Sequence, residues 1–395
     1  MWTAFAVFVI PSFALTARAD SVQLPYRDLG TAGTAFADSV APHISPDTLT
    51  AVRLGVLAPL TDPDGIAVLE GVSIALDEAN ARGGYHGLPY AVVARTTEGP
   101  WGITSRQGAA LAYDDNVWAI IGGLDGQQAH LAELIAAKAW IPVITPWASD
   151  LTIDYANVPW VFRTAPDDGS QARLLWRYAL GRGLSRIVVA VEGTREGFVA
   201  QQRLLDAARA SHHPPALVLQ YGPTAPEGQV PRIMNSGPEA LVVWGPQGGA
   251  LRLIRALRQS GCGVLALLPA VCATPEVLTQ GEELGELVVA APYDLSGTDA
   301  ELDRFARAYL AGTGHGPRPS AVMAYDVARM VVAAIEEGGL NRASIRGALA
   351  RGEFSGLTGA YRFSTLGGAL RTPVLLRPHE GRWVRAELPS RPDGP

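Results

Sequence analysis

Two turns in this sequence carry residue types that bind small polar molecules. The stretch WAIIGGLDGQQA, residues 118–129, runs from an apolar segment through a glycine pair into a helical pattern. The stretch IPVITPWASD, residues 141–150, has a similar arrangement. A helix start presents free backbone N–H groups and about half a positive charge, so each turn suits an anion such as a carboxylate. Two such turns at neighbouring strand ends favour a binding site.

Side chains at the turns allow two interpretations. Gly126 permits close approach to the backbone, and the Ser149 hydroxyl can donate to a carboxylate or accept from an ammonium. The negative charge of Asp125 repels an anion and favours a cation or a neutral polar ligand. Plain helix capping is the alternative, because Asp125 and Gln128 have capping-box spacing and Asp150 could cap similarly.

Aromatic and polar residues near other strand ends extend the candidate site. Trp101, Trp147 and Trp244 could form aromatic walls of a small-ligand pocket, or they could be core and inter-lobe packing. Glu192, Arg195 and Glu196 could be ligand contacts, lobe-closing contacts or solvated charges. The residues expected to line the site are Asp125, Gly126, Gln127, Trp147, Ala148, Ser149, Trp101, Glu196 and Gln247.

Signals for catalysis, metals and nucleic acid are weak. The sequence has no G-x-S-x-G, H-E-x-x-H, P-loop or G-x-G-x-x-G after a strand. We therefore expect no enzyme, no cofactor and no metal. Net charge is -6 and no Lys/Arg-rich block occurs, which argues against a nucleic-acid partner. Cys262 and Cys272 flank an extended apolar segment, which favours free thiols over a disulfide, although a chain reversal after Pro269 could bring them closer.

The N-terminus is typical of an export signal. Residues 4–15 are apolar, and Ala17-Arg18-Ala19 forms an A-x-A cleavage site, although the first three residues lack Lys or Arg. A buried N-terminal strand or helix is the alternative. We expect a signal peptide at 1–19, an N-terminal extension at 20–50, a periplasmic location and no membrane insertion after cleavage.

Short apolar strands alternate with amphipathic helices from Val52 onward. This alternation predicts an α/β fold with parallel sheets flanked by helices. Two such stretches, before about Thr164 and after about Arg186, indicate two lobes. Ligands of open α/β sheets sit outside the carboxyl ends of the strands, where both turns lie.

From about Val52 to Trp383 the chain resembles the type I periplasmic binding proteins, specifically the branched-chain amino-acid (leucine/isoleucine/valine) class that serves ABC importers. The segment FARAYLAGTGHGPRPSAVMAYDVARMVVAAI at 305–335 is the most specific marker. The others are LGVLAPLT (54–61), VSIALDEANARGGYHG (72–87), IIGG (120–123), VITP (143–146), VFRTAPDD (161–168) and FSGLTGAYRF (354–363).

The resemblance implies two Rossmann-like lobes that close around a ligand. Three hinge crossings are placed near Arg163, Ala291 and Ser355. Lobe 1 then comprises 51–163 and 292–355, lobe 2 comprises 164–291 and 356–386, and 387–395 form a tail. The implied partners are a small-molecule ligand and an ABC transporter permease.

The sequence departs from the family at residues implied to bind the ligand. Gly126 stands where the family has a serine, whereas Ala148 and Ser149 match its alanine and threonine. The acidic partner for a ligand ammonium falls near Ala270-Val271, and neither side chain can replace it. A buried ammonium without a partner is costly. We therefore expect an amide, a modified amino acid or an aromatic acid, unless Glu196 or Asp125 substitutes.

Three functions follow. The leading one is the solute-binding protein of an ABC importer that captures a small polar molecule by hinge closure. The second is a ligand-sensing or regulatory receptor on the same fold. The third, a hydrolase, lacks a nucleophile–base pair.

Overall fold

The computed structural model describes residues 45–100, 102–297 and 299–389. The predicted extension before residue 45, Trp101 and most of the tail lie outside these ranges, as does the predicted signal peptide. The described chain forms two α/β lobes, each built on one sheet. The predicted fold class is confirmed.

Lobe 1 contains a five-stranded sheet in the order β2-β1-β3-β4-β5, and all neighbouring strands are parallel. Its strands are β1 Val52–Ala58, β2 Tyr90–Thr96, β3 Ile120–Gly122, β4 Val143–Thr145 and β5 Val161–Arg163. Its helices from the first half of the chain are α1 Pro63–Ala81, α2 Ile103–Tyr113, α3 Gly126–Ala139 and α4 Thr152–Ala156. Burial on both faces explains why the inner strands β1, β3 and β4 are near-continuous apolar runs.

Lobe 2 contains a seven-stranded sheet in the order β14-β13-β10-β9-β8-β6-β7. Its strands are β6 Ile187–Glu192, β7 Leu217–Tyr221, β8 Ala240–Trp244, β9 Leu265–Leu268, β10 Leu287–Ala291, β13 Val374–His379 and β14 Arg382–Arg385. Its helices are α5 Asp168–Gly181, α6 Arg195–Ala210, α7 Val230–Asn235, α8 Gln247–Gln259 and α9 Pro275–Gly281. β13 and β14 add an antiparallel edge to a parallel core.

The last third of the chain returns to lobe 1 before it completes lobe 2. Its elements are α10 Ala300–Thr313, α11 Pro319–Gly338, α12 Arg342–Arg351 and the hairpin of β11 Phe354–Gly356 with β12 Gly359–Tyr361. Helix α11 packs along α1. Asp326 of α11 accepts hydrogen bonds from the backbone N–H groups of Leu357 (2.7 Å) and Thr358 (2.9 Å), which ties the hairpin to this lobe.

Residues 354–369 therefore pack with lobe 1, although the sequence places residues after 355 in lobe 2. Tyr361, Phe363 and Ala369 share one apolar core with β1 and α11. The segment also pairs with the first crossing, because Arg163 N–H donates to Gly367 O (3.0 Å) and Ala369 N–H donates to Arg163 O (2.7 Å). We propose that the third crossing lies between Ala369 and β13, and that the first two crossings follow β5 and β10.

Side-chain caps fix where several helices begin relative to the strands. Asp125, Thr194 and Asp167 each accept a hydrogen bond from an N–H in the first turn of α3, α6 and α5, respectively. The Thr194 cap starts α6 at Arg195. Arg195 and Glu196 consequently lie in the first turn of a helix, at the carboxyl end of β6.

Candidate functional site

The carboxyl edges of the two sheets face each other. In lobe 1 the strand order reverses between β1 and β3, and in the parallel core of lobe 2 it reverses between β6 and β8. Such switch points open a crevice where ligands bind in doubly wound folds. Residues that follow β6 contact residues that follow β3 and β4, which brings the two crevices together.

The first turn has the capping geometry that its spacing predicts. Asp125 Oδ1 accepts the N–H of Gln128 at 2.7 Å, and the Gln128 side-chain amide donates to Asp125 Oδ2 at 2.8 Å. Burial raises the pKa of Asp125, and these hydrogen bonds oppose that rise. Asp125 thus supports the start of α3 and also places a carboxylate beside the cleft.

Gly126 and Gln127 lie directly against lobe 2. The N–H of Gln127 donates to Glu196 Oε1 at 3.1 Å, so a side chain of the protein itself occupies this free N–H of α3. A Cβ at Gly126 would stand 2.1 Å from Asp150 Oδ2 and 2.5 Å from Arg195 Nη1. The Asp150 and Arg195 side chains therefore occupy the space beside Gly126, where the sequence places a ligand anion.

The second turn carries an ion pair that joins the lobes. Asp150 is 4% exposed, and its Oδ2 lies 2.5 Å from Arg195 Nη1. Asp150 Oδ1 also accepts from the N–H and the hydroxyl of Thr152, and Arg195 Nη2 donates to the Thr152 hydroxyl at 3.0 Å. Burial acts to raise the pKa of Asp150, but the hydrogen bonds from Thr152 and Arg195 prevail and lower it.

The other residues of this turn support the site from within lobe 1. Trp147 is 8% exposed and belongs to the apolar core around β1, and Ala148 is buried beneath α3. Ser149 bonds to Asp168 at the start of α5: its carbonyl accepts the Asp168 N–H at 2.8 Å, and its hydroxyl bonds to the Asp168 carboxyl group. Burial raises the pKa of that carboxyl group to about 8.

Lobe 2 contributes acceptors at its switch point. Glu192, the last residue of β6, is 5% exposed, and its Oε2 is buried without a hydrogen-bond partner among the described residues. Gln247, the first residue of α8, likewise has a buried Oε1 without a partner in that part of the chain. Trp244 is buried in the lobe 2 core, which fits the packing alternative for this tryptophan.

A second ion pair joins the lobes on another side of the cleft. Arg318, which precedes α11, donates from Nε to Asp64 Oδ1 at 2.9 Å within lobe 1. Its Nη1 donates to Glu276 Oε1 of lobe 2 at 2.7 Å. Arg318 and Arg195 therefore each bridge the two lobes.

Sequence reasoning missed several of these contacts. Arg318 and Glu276 lie 42 positions apart, and nothing in either local pattern indicates a partner. In the sequence Glu192 is one of three charged residues near the end of a strand, and its lack of a hydrogen-bond partner among the described residues is visible only in the structure. A charged residue that ends an otherwise apolar strand is the one signal that could have singled it out.

The described residues meet the requirements of neither a metal site nor a membrane-spanning helix. Within residues 45–100, 102–297 and 299–389, no group of three or more His, Cys, Asp or Glu side chains is placed to hold a metal ion. No helix in those ranges has the length and apolar character needed to cross a membrane. Cys262 and Cys272 are free thiols, in agreement with the favoured prediction.

Residues 51–377 match the family model described as periplasmic binding protein. The chain belongs to this family. The suspected relationship to periplasmic binding proteins is thus confirmed, and the family consists of binding proteins rather than enzymes.

Solved structures share the fold over most of the chain. The branched-chain amino acid transporter substrate-binding protein LivJ from Streptococcus pneumoniae, solved with isoleucine, has a TM-score of 0.78 at 20% identity, covering 86% of this chain and 99% of that one. A solute-binding protein from R. palustris, solved with benzoate, has a TM-score of 0.77 at 19% identity, covering 86% and 97%. At these identities the likeness establishes the shared fold.

One curated relative matches a smaller region. The chemotactic signal transduction system substrate-binding protein BasB from Halobacterium salinarum is 30% identical over 134 residues. This match covers 31% of the chain and 32% of BasB, so the chain spans about a third of the length of the curated relative it matches.

Proposed function

We propose that this periplasmic binding protein captures a small polar solute between its lobes and delivers it to the permease of an ABC importer. The observation that carries the proposal is the apposition of two switch points, bridged at their rims by Arg195 and Arg318. Hinge closure is a common way for two domains to trap a ligand, and rim contacts that join lobes suit such a motion. Export to the periplasm, as the N-terminal signal pattern indicates, is part of the proposal.

The residues proposed to form the site act in three ways. Gln247 offers the solute an acceptor in lobe 2. Gly126, Gln127 and Glu196 form the rim where the lobes meet, with the Gln127 N–H bonded to Glu196, and Ser149 bonds to Asp168 at the start of α5. Asp125, Trp147 and Ala148 hold the lobe 1 turns in place, and Trp101 is retained from the sequence alone.

Native mass spectrometry of the protein purified from its own host tests solute capture. We expect a complex heavier than the chain by the mass of one small molecule, lost after denaturation and dialysis. Small-angle X-ray scattering should then give a smaller radius of gyration after the recovered solute is added back. A chain that carries no solute and keeps one radius of gyration with every extract fraction would contradict the proposal.

A sensory receptor is the second candidate, because the curated relative BasB is named for chemotactic signal transduction. Both functions require the same solute capture. Affinity capture with the solute-loaded protein as bait separates them: a permease and ATPase would support import, and a membrane-bound transducer would support sensing.

A further inference from the structure

The lobe 2 switch point contains two oxygen acceptors that receive no hydrogen bond from the described residues. Glu192 ends β6, is 5% exposed and leaves Oε2 buried without a hydrogen-bond partner among the described residues. Gln247 is the first residue of α8, which follows the neighbouring strand β8, and its buried Oε1 also lacks a hydrogen-bond partner among the described residues. An unsatisfied buried acceptor costs free energy comparable to a lost hydrogen bond, and more if it is charged. A solute that brings N–H donors would remove this cost.

Neighbouring groups leave the Glu192 carboxylate available. Gly245 has no side chain; a Cβ there would stand 2.3 Å from Tyr221 Oη and 3.1 Å from Glu192 Oε2. Tyr221 is not the missing donor, because its hydroxyl donates to Trp244 O at 3.3 Å. Burial raises the pKa of Glu192, and the nearby charge of Arg252 opposes that rise. Arg252 Nη2 donates to Pro223 O, whereas its buried Nε has no hydrogen-bond partner among the described residues and lies 3.6 Å from Glu227 Oε1.

The position for a solute carboxylate in lobe 1 is already taken. Glu196 occupies the Gln127 N–H at 3.1 Å, and Asp125 caps the same helix. Arg195, the cation at this rim, is paired with Asp150 at 2.5 Å. Carboxylates at the helix start repel a further anion and attract a cation.

We propose that the solute is a cation rich in N–H donors, an amine or a guanidine without a carboxylate at this position. Glu192 and Gln247 accept hydrogen bonds from its ammonium or guanidinium group, and Glu196 closes the anion position at α3. This inference rests on the proposed solute-binding function and specifies its substrate class. It differs from the expectation of an amino acid or aromatic acid, because those solutes need the N–H that Glu196 holds.

Matched compounds that differ only in charge test the proposal. Isopentylamine is leucine without its carboxylate, and 4-methylpentanoate is leucine without its ammonium; agmatine and arginine form a second pair. Isothermal titration and thermal-shift assays with all five compounds on the full chain should show binding of at least one amine without a carboxylate. Its affinity should exceed that of the parent amino acid, and 4-methylpentanoate should bind most weakly.

Two variants identify the residues responsible. Glu192→Gln should weaken amine binding by about 10-fold or more, because a charge-assisted hydrogen bond is lost. Glu196→Ala should narrow the preference for the amine over its parent amino acid, because the Gln127 N–H becomes free. The control is Glu286→Gln, since Glu286 pairs with Arg182 before β10, at the opposite edge of the sheet, and should leave binding unchanged.

The possible results are distinguishable. Tightest binding of 4-methylpentanoate or of a parent amino acid by the natural chain overturns the cation assignment and leaves solute capture intact. Full amine affinity in a folded Glu192→Gln variant also overturns it. If neither amine binds, the cation assignment is also overturned. If, in addition, native mass spectrometry finds no co-purified solute, the proposed solute-binding function itself is contradicted.

Discussion

Asp168 gives a quantitative prediction about stability and pH. The residue opens α5 just after the first crossing and is 4% exposed. Burial raises the pKa of its carboxyl group from 3.8 to about 8, and repulsion from Asp150 and Asp167 adds to the rise. The hydrogen bond from Ser149 and the charge of Arg163 oppose it.

The sign follows from proton binding in the two states. Between pH 3.8 and about 8 the folded chain keeps a proton on Asp168 that the unfolded chain releases, so folding stability falls as pH rises. One pKa unit corresponds to about 1.4 kcal/mol. Asp168 alone should therefore remove about 3 kcal/mol from the unfolding free energy between about pH 5.5 and about pH 8.

Urea denaturation at those two pH values measures this loss in the natural chain and in Asp168→Asn. The asparagine is neutral at both, so the variant should lose about 3 kcal/mol less than the natural chain. Ser149→Ala should steepen the loss, because the Ser149 hydroxyl favours the charged carboxylate. Asp206→Asn, on the exposed face of α6, is the control and should leave the difference unchanged.

His130 also makes folding stability fall as pH rises, so the effect of Asp168 must be measured as the difference between the natural chain and Asp168→Asn. Its hydrogen bond to Glu133 raises the pKa of the imidazole. The stabilisation is complete below the unfolded pKa and is lost as pH rises through the folded pKa. If Asp168→Asn shows the same pH slope as the natural chain, Asp168 is charged in the folded state and the reasoning about its burial fails.

Three further substitutions test the hinge and the rim. Gly126→Ala places a Cβ 2.1 Å from Asp150 Oδ2 and 2.5 Å from Arg195 Nη1, so this ion pair must move. The radius of gyration in X-ray scattering should rise, and an unchanged radius would show that the two side chains shift without separating the lobes. Arg163→Met leaves Asp154 buried without the partner that lies 2.6 Å away in the natural chain. Urea denaturation should show that the free energy of unfolding falls by about 3–5 kcal/mol. A fall below about 1 kcal/mol would show that Asp154 is neutral or hydrated. Asp326→Ala removes the acceptor for two backbone amides of the β11–β12 hairpin. The free energy of unfolding should fall by about 1–3 kcal/mol for each amide, and both amides should exchange hydrogen faster. Equal protection factors in the variant and the natural chain would argue against this anchor.

The arrangement of the two turns was predictable because it is local. An apolar strand, a glycine and a capping residue before a helix are recorded in adjacent positions, and Asp125 with Gln128 forms the hydrogen bonds that this spacing indicates. The placement of both turns at one edge of the sheet follows from the alternation of strands and helices, since parallel strands end at one edge of a sheet.

The rest depended on contacts between distant segments. The sequence allows Arg195 a lobe-closing contact but does not indicate its partner, whereas the Thr194 cap places Arg195 in the first turn of α6 and against Asp150. The hairpin at 354–361 is held to lobe 1 by Asp326, a residue whose partners lie more than 30 positions away. Such pairings leave no periodic signal in the sequence.

Solute capture between the lobes can be seen in a crystal structure of the chain purified from its own host with its solute bound. We predict density for one small molecule between the carboxyl edges of the two sheets, with a nitrogen within hydrogen-bond distance of Glu192. Density for the solute elsewhere on the chain, or a cleft filled only by the protein's own side chains while the solute is bound, would contradict it.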